Sequence, residues 1–440
     1  MPIPKTASGS GLVIWPSTNA SIPANWTRDT DFDGIFLQGT ASGTNPGTTG
    51  GRTSYAPTAT AHSHTENSHV HVLSITDFSD TTNNINSGTA TRAGIDHTHV
   101  DANSASTVGT NQNTTITVNS ATVQPTFTRV IFIKPSDASQ DVPVGSVIYS
   151  DQSTVVSGFA VSDGTGGTTL NLNSKFLLGA TTGGDSGGTG GASTHTFTAV
   201  DHTHTSNSHT HANSDFGATS GTVTNASSSG LAVNAMPSVH HRAISISSTT
   251  PTTQNASVTV DAQSSEPAYY QLLAIQNVGA SASTPNYTIV PFTGPLSEIP
   301  TSSYWFQCDG TGATPNLLSR QVKVTTSAGS IGTTGGQNSL TYTTQAHTHT
   351  QNSHTHTFTF SNSGSTTALT TSPAVTIANI THAHGGSQAM ASAVATLQNA
   401  TVVLSTEDIR YSYKEVCFIQ LRLPTVHIKG AKILGNTLIK

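Results

Sequence analysis

Residues 62–71 read His-Ser-His-Thr-Glu-Asn-Ser-His-Val-His, and the spacing HxHxxxxHxH recurs at residues 202–211 and 347–356. In an extended strand, side chains at positions i and i+2 lie on the same face, so each HxH presents two imidazoles to one point. Three such pairs meeting on one axis place six nitrogens around a single ion, which is octahedral coordination. The spacing therefore predicts a metal site built from three separate parts of the chain.

The histidine segments belong to a threefold internal repeat. Thr-Gly-Gly occurs at residues 49–51, 189–191 and 334–336, in each case 13 residues before the first histidine. Each repeat opens and closes on an aromatic-aliphatic segment typical of a strand: residues 12–15 and 127–133, 146–149 and 269–275, 287–292 and 413–419. Phe36-Leu37 and Phe176-Leu177 occupy matching positions, whereas the third repeat has diverged there to Gln321-Val322. We predict three tandem β units at 1–140, 141–282 and 283–425, followed by a C-terminal extension at 426–440.

Composition favours an extracellular or virion-type all-β protein. Charged residues make up 9% and hydrophobic residues 34% of the 440 residues, and the net charge is −6. Ordinary globular domains have about 25% and 45–50%, so long helices are not expected. The small net charge argues against disorder and against a nucleic-acid partner. No apolar run approaches the ~20 residues of a membrane span, so no membrane insertion is expected.

The histidines define three candidate metal layers. The first comprises His62, His64, His202, His204, His347 and His349, and the second comprises His69, His71, His209, His211, His354 and His356. A third, irregular layer comprises His97, His99, His240, His241, His382 and His384. The odd step from His64 to His69 requires a bulge or irregular turn to return the second pair to the same face. His195 and His427 belong to no layer, and we expect His195→Ala to be nearly silent.

Six neutral imidazoles match an octahedral ion such as Fe²⁺ better than Zn²⁺, which prefers four tetrahedral ligands. Zn²⁺, Ni²⁺ and Co²⁺ remain alternatives, because ligand type alone does not exclude them. Six protein ligands leave no position for water or substrate, and the few carboxylates are scattered, so an enzyme is not expected. Cys308 and Cys417 are expected to be small buried hydrophobes without a disulfide.

The third repeat resembles a known family. Ile299-Pro300, residues 305–310 (Trp-Phe-Gln-Cys-Asp-Gly) and residues 315–318 (Pro-Asn-Leu-Leu) are similar to the opening of the bacteriophage tail collar domain. The first repeat keeps Ile22-Pro23 and Trp26. The resemblance implies a collar from which a trimeric needle extends, with HxH motifs binding iron ions inside it. The arrangement departs from the family pattern of one collar and needle per chain, because three such units stand in tandem here.

Short links between the repeats favour a single chain that folds as a pseudo-trimer, with each unit running out along the needle and returning to the collar. In this interpretation the protein is a virion component, a metal-stiffened tail fibre or spike tip. Its partners would be other tail or baseplate proteins and a host cell-surface glycan or protein. The divergent segments 72–96, 212–238 and 357–381 would recognise the host, because specificity tends to lie on loops carried by a rigid frame. The alternative is an architectural connector, plug or head fibre without receptor contact. Residues 429–440 would dock another virion protein.

Overall fold

The computed structural model describes part of the chain in detail. That part comprises residues 1–65, 70–73, 102–105, 114–165, 168, 170–205, 243–246, 253, 256–279, 283–352, 354, 357–361, 386–389, 402–424, 432–434 and 437–439. Its regular elements are β-strands and five single-turn 3₁₀ helices, at Asn19–Ser21, Thr30–Phe32, Leu296–Glu298, Thr301–Ser303 and Ala328–Ser330. No α-helix occurs in these residues, and the all-β prediction is confirmed.

The strands follow the order of the sequence repeats. The first repeat contains β1 (Val13–Trp15), β2 (Trp26–Arg28), β3 (Phe36–Gly39), β4 (Thr49–Gly50), β5 (Val70–Leu73), β6 (Ala102–Ala105) and β7 (Phe127–Pro135). The second contains β8 (Val147–Ser150), β9 (Phe159–Val161), β10 (Phe176–Gly179), β11 (Thr189–Gly190), β12 (Thr194–His195), β13 (Ala243–Ile246), β14 (Gln263–Ser264) and β15 (Tyr269–Asn277). The third contains β16 (Thr288–Phe292), β17 (Trp305–Gln307), β18 (Gln321–Thr325), β19 (Thr334–Gly335), β20 (Ser339–Thr343), β21 (Thr357–Ser361), β22 (Gly386–Ala389), β23 (Val403–Asp408) and β24 (Tyr413–Leu421). The C-terminal strands are β25 (Lys432–Leu434) and β26 (Thr437–Ile439).

Fifteen of these strands form one sheet, which we call the base. Its longest members are the closing strands β7, β15 and β24, each nine residues long. Each closing strand pairs antiparallel with the first two strands of its own repeat: β7 with β1 and β2, β15 with β8 and β9, and β24 with β16 and β17. The base therefore joins the beginning and the end of every repeat.

Each closing strand also pairs in parallel with a strand from another repeat. β7 pairs with β10, β15 pairs with β18, and β24 pairs with β3. The last of these ladders returns from Tyr413 to Phe36, so the sheet closes on itself. The result is an eight-stranded barrel with additional strands.

The closing strands are hydrophobic on both faces because both faces are covered. Val130, Leu272 and Val416 point into one buried cluster, and Ile133, Ile275 and Ile419 point into a second. The second cluster also contains all three tryptophans, Trp15, Trp26 and Trp305. Cys308 lies in the first cluster and Cys417 in the second, and both are free thiols.

The Thr-Gly-Gly motif forms the exit from the base. Its first glycine is part of β4, β11 or β19 and faces the ring of Tyr413, Phe127 or Tyr269. Its second glycine, Gly51, Gly191 or Gly336, has a φ of 75°, 73° or 66°. A Cβ there would overlap the carbonyl oxygen of Tyr411, Pro125 or Pro267, so only glycine fits this turn.

The chain leaves the base in six segments, three outgoing and three returning, which we call the shaft (residues 52–65, 114–124, 192–205, 253–265, 337–352 and 402–410 within the described part). Neighbouring segments pair around the full circle. Within repeats the pairs are Tyr55 with Ala121, Thr198 with Thr259, and β20 with β23. Between repeats they are Val118 with Ala199, Val260 with Thr344, and Leu404 with Ala59. The last pair closes the tube, and an apolar cluster that includes Phe197, Tyr342 and Leu404 fills it.

Gln321 occupies the position where the other repeats have phenylalanine. It lies opposite Tyr269 in the parallel ladder, as Phe36 lies opposite Tyr413 and Phe176 opposite Phe127. The side chain is 2% exposed, beside a small cavity lined by Phe36, Phe176 and other apolar residues. Neither its Oε1 nor its Nε2 has a hydrogen-bond partner in the described structure. The divergence seen in the sequence therefore places an unsatisfied amide in the core.

We expect Gln321→Met to stabilise the protein. Methionine has a similar shape, and removing an unsatisfied buried amide recovers about 1–3 kcal/mol. Urea unfolding at neutral pH measures the change. The control is Gln38→Met: Gln38 is also buried, but its Oε1 accepts a hydrogen bond from Arg410 Nη1 at 3.5 Å, so that variant should lose stability. Equal destabilisation by both substitutions would contradict this account.

Candidate metal centre

The three outgoing segments of the shaft carry the first histidine layer. His62 forms a backbone bridge to Thr114, and His202 forms one to Ala256, each pairing with the returning segment of its own repeat. His347 and His349 follow β20 in the third repeat. Because each HxH is extended, both of its side chains lie on one face, and here that face is the interior of the tube.

The six imidazoles form two stacked, staggered triangles. His62, His202 and His347 form one triangle, with ring centroids 5.1–5.3 Å apart. His64, His204 and His349 form the other, with all three separations 4.8 Å. Each ring is in edge-to-face contact with four of the other five and lies opposite the fifth. Where rings of different triangles are in contact, their centroids lie 4.7–5.4 Å apart. The opposite pairs are His62–His349, His64–His202 and His204–His347, which is the neighbour pattern of an octahedron.

Ring nitrogens converge on the centre of this arrangement. His202 Nε2 lies 3.3 Å from both His62 Nε2 and His349 Nε2. Metal–nitrogen bonds of about 2.1 Å place adjacent ligands of an octahedron ~3.0 Å apart and opposite ligands ~4.2 Å apart. Within each of two overlapping sets of four histidines, the potential ligand atoms all lie within 4.8 Å of one another. The sets are His62-His64-His202-His347 and His64-His202-His204-His349. The cluster therefore needs only a slight contraction to bind one ion.

Burial favours the neutral form of three of these imidazoles. His64, His204, His347 and His349 are buried, and His62 and His202 are half-buried. Burial, followed by repulsion from neighbouring histidines, lowers the pKa of His62 to about 4, that of His202 to about 3 and that of His347 to about 4. The buried Nε2 of His347 has no hydrogen-bond partner. Neutral imidazoles with available lone pairs are what a transition metal requires.

Most of the other predicted ligands lie outside the described residues. Of the second layer, His69, His209, His211 and His356 are not described, and for His71 only its place in β5 is described. His354 is described and half-buried. The predicted irregular turn after His64 and all six residues of the third layer also fall outside the described part of the chain, as does His427.

His195, which the sequence predicts to be a structural or surface residue, has a structural role in the shaft. It occupies the shaft position equivalent to Tyr55, and its Nε2 lies 2.9 Å from the hydroxyl of Tyr342. Its ring also stacks edge-to-face on Phe197, 5.0 Å between centroids, and burial lowers its pKa. It is not part of the six-histidine cluster. Its alignment with Tyr55 in the repeat was the available signal that this position is core.

A second feature missed from the sequence is the polar contact beside the cluster. Thr253 is buried, and its Oγ1 accepts a hydrogen bond from the backbone N–H of His204 at 2.7 Å. The backbone N–H of Thr253 donates to the carbonyl of His204 at 2.9 Å. This pairing holds the second triangle of histidines in register with the returning segment.

No family model, curated protein or solved structure matches this chain. None of the helices in the described residues is long and apolar enough to cross a membrane.

Proposed function

We propose that this chain is a bacteriophage virion structural protein, a metal-stiffened tail fibre or spike tip that contacts the host surface. The observation that carries the proposal is the six-histidine cluster enclosed in a closed tube of strands that rises from a broad base. Such an arrangement suits a rigid projection, because metal binding by ligands from three segments adds directly to folding free energy. The motifs that resemble the tail collar domain lie in the base, at the foot of this projection.

A structural role fits the centre better than a catalytic one. A catalytic metal site keeps a position open for water or substrate, whereas six imidazoles complete the coordination sphere. The octahedral neighbour pattern supports Fe²⁺, with Ni²⁺ and Co²⁺ as alternatives. Zn²⁺ is also an alternative, although it more often occupies tetrahedral sites.

The chain forms its projection alone in this proposal, as a pseudo-trimer of three collar-needle repeats. The support is the cyclic pairing of the base, in which each closing strand reaches a different repeat and the third returns to the first. The shaft repeats the same cyclic order at Val118–Ala199, Val260–Thr344 and Ala59–Leu404. Among the described residues, contacts of the kind that three chains would form with one another occur between repeats of a single chain.

We therefore expect the folded, metal-loaded protein to exist as a particle of one chain, about 45 kDa. Light scattering coupled to size-exclusion chromatography measures the mass, and metal analysis of the same peak measures the content. A particle of three chains at every concentration would contradict the pseudo-trimer and favour an intertwined homotrimer.

Two measurements test the function itself. Elemental analysis of a well-folded sample should give at least one equivalent of a transition metal per chain, and X-ray absorption should show a six-nitrogen shell. A cryo-EM map of the virion should place the protein at a tail tip or baseplate, where other tail proteins are its neighbours and a host glycan or protein is its target. A position on the capsid, or buried between tail components, would favour the architectural connector.

A further inference from the structure

One backbone position is strained in a repeat-specific way. Asn25, Gly158 and Tyr304 directly precede β2, β9 and β17, which pair with the ends of the three closing strands in the same register. All three residues have positive φ, at 65°, 87° and 64°. Glycine and asparagine adopt this conformation readily, whereas for a bulky side chain it is an outlier. Such strain persists where it serves another purpose.

Among the described residues, the strained tyrosine is part of an aromatic surface that the equivalent positions of the other two repeats lack. Tyr304 is 37% exposed and Phe306, two residues on, is 39% exposed. The residues equivalent to Phe306 are Thr27 in the first repeat and Ala160 in the second. A further tyrosine with positive φ, Tyr287 (67°), stands where the second repeat has Gly145 (90°). We call Tyr287, Tyr304 and Phe306 the aromatic face.

The C-terminal segment leaves the base beside this face. The backbone N–H of Arg422 donates to the carbonyl of Tyr304 at 2.9 Å, and its guanidinium lies 5.1 Å from the centre of the Tyr287 ring. The N–H of Leu423 donates to Asn286 Oδ1 at 2.7 Å. In the first two repeats the chain continues at this point into the next repeat, so the aromatic face and the C-terminal segment occur in the same repeat.

The segment that follows contains an isolated two-stranded hairpin. Strands β25 and β26 pair with each other and, among the described strands, with nothing else. A two-stranded hairpin alone is marginally stable at best. Residues 425–440 are rich in apolar side chains (Val426, Ile428, Ile433, Leu434, Leu438 and Ile439) in a chain that is only 34% hydrophobic. The seven residues between Pro424 and β25 span at most about 24 Å, which is ample to reach Phe306.

We propose that the β25–β26 hairpin packs against the aromatic face and latches the C-terminal segment onto the third repeat. The occupant is this chain's own hairpin, because it begins beside the face and a short tether gives it a local concentration in the millimolar range. Docking of residues 429–440 to another virion protein, as expected from the sequence, is the alternative that the test must distinguish. It also makes one of the three sides of the base different from the other two.

Hydrogen exchange on the full-length protein tests the latch. In the wild type the backbone amides of residues 433–439 should be protected at least tenfold relative to the same sequence as a free peptide. Tyr304→Gly and Phe306→Thr should each reduce that protection at least fivefold. Tyr304→Gly should leave the melting temperature unchanged or raise it, because it removes the backbone strain, and this separates the latch from a general loss of fold.

Matched controls come from the first repeat. Asn25→Gly and Thr27→Ala alter the equivalent positions and should leave the protection of residues 433–439 unchanged. Free-peptide exchange in the wild type, or equal protection in all variants, would overturn the proposal. Protection that rises with protein concentration would instead identify a second copy as the occupant, and protection seen only with another tail protein would identify that protein; both results would also overturn it. None of these outcomes depends on metal binding or on the location in the virion.

Discussion

The double variant His202→Ala/His204→Ala is expected to lose stoichiometric metal binding and a large part of its stability. The substitutions remove a third of the donors, including His202 Nε2, which lies 3.3 Å from the ring nitrogens of two other ligands. A ligand present at a thousand times its dissociation constant stabilises the folded state by about 4 kcal/mol. We expect a loss of at least that order, measured by urea unfolding alongside elemental analysis.

The control is His195→Ala, on the same outgoing segment of the shaft. Sequence alone predicts that this change is nearly silent. The contact between His195 Nε2 and the Tyr342 hydroxyl changes that expectation to a loss of about 1 kcal/mol with full metal content. If the two variants lose metal equally, the assignment of the centre to the six-histidine cluster is wrong.

Acid should destabilise the protein between pH 6.5 and about pH 4. The pKa values of His62 and His347 are lowered to about 4 and that of His202 to about 3, from an ordinary value of 6.5. Below pH 6.5 the unfolded chain binds protons that the folded cluster does not, so the free energy of unfolding falls with pH and levels off below the folded pKa values. For His347 alone, a shift from 6.5 to about 4 corresponds to about 3 kcal/mol.

Bound metal should make this dependence steeper, because protons compete with the ion for the same nitrogens. Urea unfolding at half-unit steps from pH 7.5 to pH 4, with and without a chelator, measures both effects. The His202→Ala/His204→Ala variant should show a flatter profile, because its unfolded and folded states differ by fewer protons. A wild-type stability that does not change between pH 7 and pH 5 would rule out a neutral, buried cluster.

The first histidine layer could be predicted from sequence because its signal is local. The HxH spacing decides which side chains share a face, and the repetition of the spacing in register with Thr-Gly-Gly indicates that the three pairs meet. The second glycine of that motif is also a local requirement, because the turn that it forms has a positive φ and lies next to a carbonyl oxygen. The all-β class followed from composition and from the aromatic-aliphatic segments that became β7, β15 and β24.

Other features depended on contacts between residues far apart in sequence. Nothing near Gln321 indicates that its amide lies unsatisfied among phenylalanines of two other repeats. The contact of His195 with Tyr342 joins residues 147 positions apart. The positive φ of Tyr304 is likewise a property of the folded chain that no neighbouring residue in the sequence indicates.

The amino-acid sequence by itself determined the threefold repeat, the all-β class and the composition of the six-histidine set, because side-chain direction in an extended chain follows from a period of two residues. Only the tertiary structure decided which segments become neighbours. The parallel ladders β7–β10, β15–β18 and β24–β3 connect different repeats, and local propensity does not specify a partner for a strand at such a distance. Those ladders close the base, and the closed base aligns the three outgoing segments so that their histidines meet inside one shaft.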